Sequence, residues 1–167
     1  MKILTIGGNE YKVEFSFEAA EHKECVDKMF KIVSGGYLMK SGPTGDGDKI
    51  SMAATFIDGT ADMVSDIPRI AISSLYAGLL ENNPVKNEQE AKALFKQFVK
   101  ENPDDERASF FGMYNFLKDC MEEDGFFKLT GLDKLVEKMN QEAEKTQTQA
   151  ESVKTPQDHK RKSASTK

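Results

Sequence analysis

Residues 42–49, Gly-Pro-Thr-Gly-Asp-Gly-Asp-Lys, have the composition of a phosphate-cradling loop. Such a loop places Lys directly after its last glycine and Ser or Thr next, so that backbone N–H groups and the ammonium meet the phosphates. Here Asp48 intervenes, Ile50 follows Lys49, and Asp46 and Asp48 would repel the anion. Asp46-Gly47-Asp48 also opens like a calcium loop. Its fifth position is Ile50 and its twelfth is Ile57, where a calcium loop needs oxygen ligands. The segment therefore reads as a loop without a ligand.

His22 and His159 are the two histidines, and neither has Cys or His at ligand spacing, so no zinc site is expected. His22, Glu18 and Glu21 have the types of an acid–base set. Nothing apolar nearby would shift their pKa values, and a solvated helix face accounts for them. Cys25 beside Val26 reads as a small buried hydrophobe rather than a nucleophile. Ser73-Ser74 lacks both an elbow and a nearby base. The expectation is no enzyme, no cofactor and no metal.

The elements that position these residues follow from periodicity. Residues 2–6 and 11–17 are β-prone runs around Gly7-Gly8-Asn9-Glu10, a hairpin connection. Period two puts Tyr11, Val13, Phe15 and Phe17 on one face, which must lie on a helix. Ser16 offers an N-cap to a helix with Val26, Met29, Phe30 and Val33 on one side, ended by Gly35-Gly36. Residues 50–57 fit either a short strand or a helical turn. Asp58-Gly59-Thr60 restarts structure, with Thr60 or Asp62 as the cap of a short helix. Pro68 sits best in the first turn of the next helix, capped by Asp66 and stopping before Asn82-Asn83-Pro84. Asn87 and Glu90 have capping-box spacing before a stripe of Ala91, Leu94, Phe95, Phe98 and Val99. A fourth main helix spans 106–121. A last one, capped by Thr130 with Asp133, begins with Leu132, Leu135, Val136 and Met139.

The fold class is α+β, mainly α: an N-terminal β-hairpin packed on a bundle of about five helices, followed by a disordered C-terminal segment. The domain takes 1–145 and the polar segment 146–167. Of the net charge of −5, residues 140–167 carry six Lys/Arg against four Asp/Glu, or +2, which leaves −7 on 1–139. The last 28 residues hold no aromatic, Leu or Ile and cannot offset the cost of ordering their backbone. Lys160-Arg161-Lys162 within them reads as solubilising.

The acid balance argues against nucleic acid. The longest uncharged apolar run, 70–80, is half of what a bilayer span needs, so no membrane is expected. No apolar stretch of signal-peptide length opens the chain. Cys25 and Cys120 lie 95 positions apart, which points to a reducing compartment.

What stands out is apolar surface. In 106–121, Phe110, Phe111, Met113, Tyr114, Phe116, Leu117, Cys120 and Met121 cover an arc of about 220°, against the roughly 100° a core-facing helix needs. Residues 67–80 are similarly broad, and Phe126-Phe127 adds two rings. Either these helices are wrapped by neighbours, or they carry a protein-binding or self-association face, which the eight methionines would make adaptable.

The hairpin sequence Ile-Leu-Thr-Ile-Gly-Gly-Asn-Glu-Tyr-Lys-Val-Glu-Phe-Ser-Phe runs straight into a helix. Ile57-Asp58-Gly59-Thr60-Ala61-Asp62 and Ile72-Ser73-Ser74-Leu75-Tyr76-Ala77-Gly78-Leu79 follow. Over about 1–125 this resembles the tail assembly chaperones of long-tailed, siphovirus-type bacteriophages and prophages of Gram-positive hosts. The resemblance implies a non-enzymatic protein of the host cytoplasm that coats the tail tape measure protein, keeps it soluble and helps recruit the major tail tube protein. It also implies a homo-oligomer, absent from the mature virion, and in many relatives a frameshifted longer form. Phe110, Phe111, Tyr114, Phe116 and Phe126 are the residues expected to make client or self contacts. The alternative is a helical protein–protein adaptor or regulator without an assembly role. Gene neighbours separate the two, since a chaperone gene should lie between those of the tube protein and a very long helical protein.

Overall fold

Two glycines set the hairpin. Gly7 and Gly8 both have positive φ, +60° and +76°, which a two-residue turn of type I′ requires and side chains resist. The turn joins β1 (Lys2–Ile6) and β2 (Asn9–Val13) antiparallel, with Leu4 opposite Tyr11 and Lys2 opposite Val13. The coordinates, a computed structural model, describe residues 1–37, 49–83 and 85–152, with the backbone alone at 49–55 and 143–152. The 42–48 loop, His159 and the basic cluster at 160–162 lie outside the described residues.

β2 is shorter than its alternation suggests. β1 supplies five residues, so pairing ends at Val13. The Glu14 N–H then donates to the Gly78 carbonyl at 2.8 Å and the Phe15 N–H to Asp124 Oδ2 at 2.9 Å. Leu4, Ile6, Val13 and Phe15 are buried and Tyr11 half-buried, but Phe17 opens α1 (Phe17–Glu21) and is 72% exposed. The expected fourth member of the apolar face is therefore on the surface.

The helix expected from Ser16 to Gly35 is two helices. His22 takes an extended conformation and its Nδ1 accepts the Cys25 N–H at 3.3 Å, capping α2 (Lys23–Val33). Ser16 makes no side-chain cap bond; its hydroxyl is bonded to Glu81. In α2 the innermost residues are Cys25, Lys28 and Met29, with Val26, Phe30 and Ile32 partly packed.

The larger correction concerns α3 (Lys49–Leu79), one helix of 31 residues where two shorter ones, with a strand or turn before them, were expected. Pro68 lies in its interior. The ring removes one N–H bond to the Val64 carbonyl, but Val64 is exposed, and water can serve that carbonyl. Packing offsets the loss: Ile67, Ile70, Ala71, Ile72, Leu75, Ala77 and Leu79 are all buried, and each large side chain contributes about 1.5–3 kcal/mol. Asp66 is not a cap. Its Oδ2 accepts the Tyr37 hydroxyl at 2.8 Å and faces Lys28 Nζ at 3.4 Å, tying the end of α2 to α3. The Tyr37 bond, followed by Lys28, holds this carboxyl below its usual range, while burial and Asp66 raise the phenol.

α3 is the central helix. The hairpin, α1, α2, α4 (Glu88–Glu101) and α5 (Phe110–Glu123) surround its second half. Gly78 is where the hairpin comes closest, since a Cβ there would stand 2.7 Å from Val13 Cγ1 and 3.1 Å from Phe15 Cζ. The broad apolar arc of 67–80 is thus wrapped by neighbours. α4 starts as its capping residues dictate: Asn87 Oδ1 accepts the Glu90 N–H at 3.1 Å, and Glu90 reaches back to the Lys86 N–H at 2.7 Å.

α6 (Phe126–Leu129) follows a left-handed Gly125 at φ +72°, and α7 (Leu132–Ser152) follows Gly131, also at +72°. Thr130 does not cap α7. Its hydroxyl donates to the Phe126 carbonyl at 2.8 Å and closes α6. The backbone of α7 is helical from Leu132 to Ser152. The result is a two-stranded hairpin on seven helices among the described residues, an α+β fold that is mainly α.

Candidate protein-binding surface

α5 begins at Phe110, the first member of its apolar pattern and four residues after the start expected at 106, because a turn precedes it. The Asp105 N–H donates to the Asn102 carbonyl at 3.1 Å and the Ala108 N–H to the Asp105 carbonyl at 2.8 Å. Ser109 then caps the helix, its Oγ accepting the Gly112 N–H at 3.0 Å. Phe110 and Phe111 occupy the first turn of the helix, and both are exposed.

The five aromatic residues expected to bind a partner divide into three groups. Phe126 is fully buried, edge-on to Phe15 with centroids 5.5 Å apart, so it is a core residue and not a contact residue. Its place is set by Gly125, which turns the chain inward after α5. Phe116 is half-buried beneath two cations: the Arg107 guanidinium lies 5.4 Å and Lys2 Nζ 5.7 Å from its ring centre. Tyr114 is half-buried beside Phe111, with centroids 6.2 Å apart, and burial raises its phenol pKa. Phe110 and Phe111 remain exposed, at 40% and 57%.

Phe110 does not stand alone. Its ring tilts against Phe95 at 5.2 Å between centroids. Phe95, Val99, Ala108 and Phe110 line a cleft of about 320 Å³ between α4 and the start of α5, with Lys92, Lys96 and Lys100 along its edge. A second cleft of about 290 Å³ adjoins it, shares Phe110 and Lys92, and continues to Pro68, Arg69, Ile72, Glu88 and Gln89. The sequence reading assigned Phe95 and Val99 to a core stripe and did not single out the lysines. The signal was there: cations at 92, 96 and 100 repeat every four residues along one edge of that stripe.

Arg107 holds the turn behind this surface. Its Nε and Nη2 donate to Asp105 at 2.9 and 2.7 Å, while its face covers Phe98 as well as Phe116. The Arg107 hydrogen bonds pull the Asp105 carboxyl down to about 2. A depressed acid stabilises the fold above its unfolded pKa of about 3.9, and the contribution disappears as pH falls towards 2. Asp105→Asn should therefore lower stability at pH 6, by no more than about 1 kcal/mol because both partners are partly exposed to solvent. Urea unfolding of both proteins at pH 6 and pH 2 checks this, and the gap should close at the lower pH.

The residue types that could do chemistry are placed differently. Cys25 is fully buried, its Sγ 3.8 Å from Ser74 Oγ, and burial pushes its thiol up to about 12. Burial does the same to Cys120. Ser73 and Ser74 are buried inside α3. His22 marks a helix junction, edge-on to Tyr76 at 5.1 Å, with Nε2 3.9 Å from Glu88. No group of three or more His, Cys, Asp or Glu among the described residues is placed to hold a metal ion, and no helix there is long and apolar enough to cross a membrane. Comparison with protein-family models, with curated proteins and with solved structures gives no match.

Proposed function

We propose that this chain is a bacteriophage tail assembly chaperone. It binds the tape measure protein in the host cytoplasm and keeps that long helical client soluble before the tube forms. It helps recruit the major tail tube protein, and it leaves before the virion is complete. The observation that carries the reading is the pair of exposed rings, Phe110 and Phe111, the first of them lining an apolar cleft, on a body of net charge −7. Burying apolar area yields about 25 cal/mol per Å², so two rings and a cleft give modest, reversible binding once association costs are subtracted. Several copies on one elongated client, themselves in contact as a homo-oligomer, raise the total without making any single contact permanent.

Co-expression with the long, helix-rich protein whose gene adjoins its own tests the reading. The wild-type chain should yield a soluble complex. Phe111→Asp, and Phe110→Asp with it, should weaken co-purification at least about tenfold, the loss typical of a truncated interface anchor. Because Phe111 is mostly exposed, the circular dichroism spectrum should not change. A client that is equally soluble with or without the wild-type chain refutes the proposal and favours an adaptor without an assembly role.

A further inference from the structure

The cleft between α4 and α5 has an apolar floor and a row of three lysines along its edge. Lys92, Lys96 and Lys100 are exposed and have no ion-pair partner among the described residues. Like charges at i, i+4 oppose helix formation rather than support it. Glu88, one turn before Lys92 and well placed to offset it, instead faces His22. On a body that is otherwise acidic, three uncompensated cations lie in one row beside Phe95, Val99 and Phe110.

We infer that this cleft selects an acidic amphipathic helix of a partner protein. From Glu88 to Lys100 the two adjoining clefts follow α4 for about 18 Å, or roughly three helical turns. A helix of that length offers apolar side chains at i, i+3 or i+4, and i+7 to the floor. Carboxylates one turn apart on its flank match the spacing of the lysines. A nucleic acid backbone would meet the lysines but leave the phenylalanine floor unused. The inference rests on the reading that a client helix docks here, and it adds the charge by which the client segment is chosen.

Two synthetic amphipathic helices of roughly 18 residues test it. They share the same leucines, and one carries Glu and the other Lys at the flanking positions. Binding to the full chain is read by fluorescence anisotropy. In about 50 mM salt the Glu peptide should bind about tenfold tighter than the Lys peptide, and the preference should shrink in about 500 mM salt. The triple variant Lys92→Glu, Lys96→Glu, Lys100→Glu should reverse the preference. These side chains are exposed, so its melting curve should match the wild type.

Equal binding of both peptides, a preference that survives the triple reversal, or displacement of the Glu peptide by a short oligoribonucleotide each overturns the inference. Failure of both peptides to bind overturns it too. In every one of these cases, continued co-purification of the tape measure protein that Phe111→Asp disrupts would leave the chaperone reading standing.

Discussion

Gly112→Ala should destabilise the protein by about 3 kcal/mol or more, at the upper end of what overpacking costs. A Cβ at this position would stand 1.8 Å from the Glu106 carbonyl oxygen and 2.8 Å from its carbon, atoms of the backbone that no rotamer change can move aside. Gly112 has no positive φ, so the strain is purely one of space. The turn before α5 lies directly on this glycine, and Ser109 bonds its N–H at 3.0 Å. An alanine must push the turn away from the helix. That shift would carry Phe110 and Phe111 with it and unseat Arg107 from Phe98 and Phe116. Both a lower urea midpoint and weaker client capture should follow from one methyl group. A variant of wild-type stability would show that the turn can retreat without cost, and the close packing described here would be wrong.

Phe126→Ala should cost about 3–5 kcal/mol, the range for an aromatic side chain removed from a core that cannot collapse around the gap. The ring is fully buried between Phe15 and Phe127, at 5.5 and 5.9 Å, and so links the hairpin to α6. In thermal melts the loss should appear as a drop of roughly 10 °C or more. The contrast with Phe111→Asp matters most. One substitution should lower the melting temperature and leave the binding of the remaining folded protein intact. The other should do the reverse. If Phe126→Ala removed client binding at unchanged stability, the ring would have to be a contact residue after all.

Local chemistry carried much of the architecture. Glycine pairs at 7–8 and 35–36 and the Asn87–Glu90 cap are each satisfied within a few residues of chain, and the Ala91–Phe95–Phe98 stripe is set by helical period alone; all are found where their types imply. Long-range contacts overruled local signals elsewhere. Pro68 reads as a helix start, yet burial of Ile67, Ile70 and Ala71 against the rest of the domain outweighs one missing hydrogen bond. His22 reads as part of a helix face, yet it divides two helices. Phe17 reads as an inward strand residue, yet the five residues of β1 run out before reaching it.

The same division applies to the surface. That this chain holds more apolar helical area than a narrow core stripe needs was legible from residue types and a period of 3.6 alone. Which rings stay outside was not. Phe110, Phe116 and Phe126 are the same residue, and periodicity assigns each an angle but no neighbour. The 67–80 half of α3 absorbed its own surplus because five other elements close around it, while Phe56, Ile57 and Val64 in the first half stay exposed. Phe116 lies under Arg107, a cation nine positions away that is oriented by Asp105. Phe126 turned inward at a left-handed glycine. Phe110, packed on one side against Phe95, and Phe111 stayed exposed in the first turn of α5 because no described segment closes over them. Residue type and spacing set how much apolar surface exists, whereas its exposure depends on which distant segments arrive to cover it.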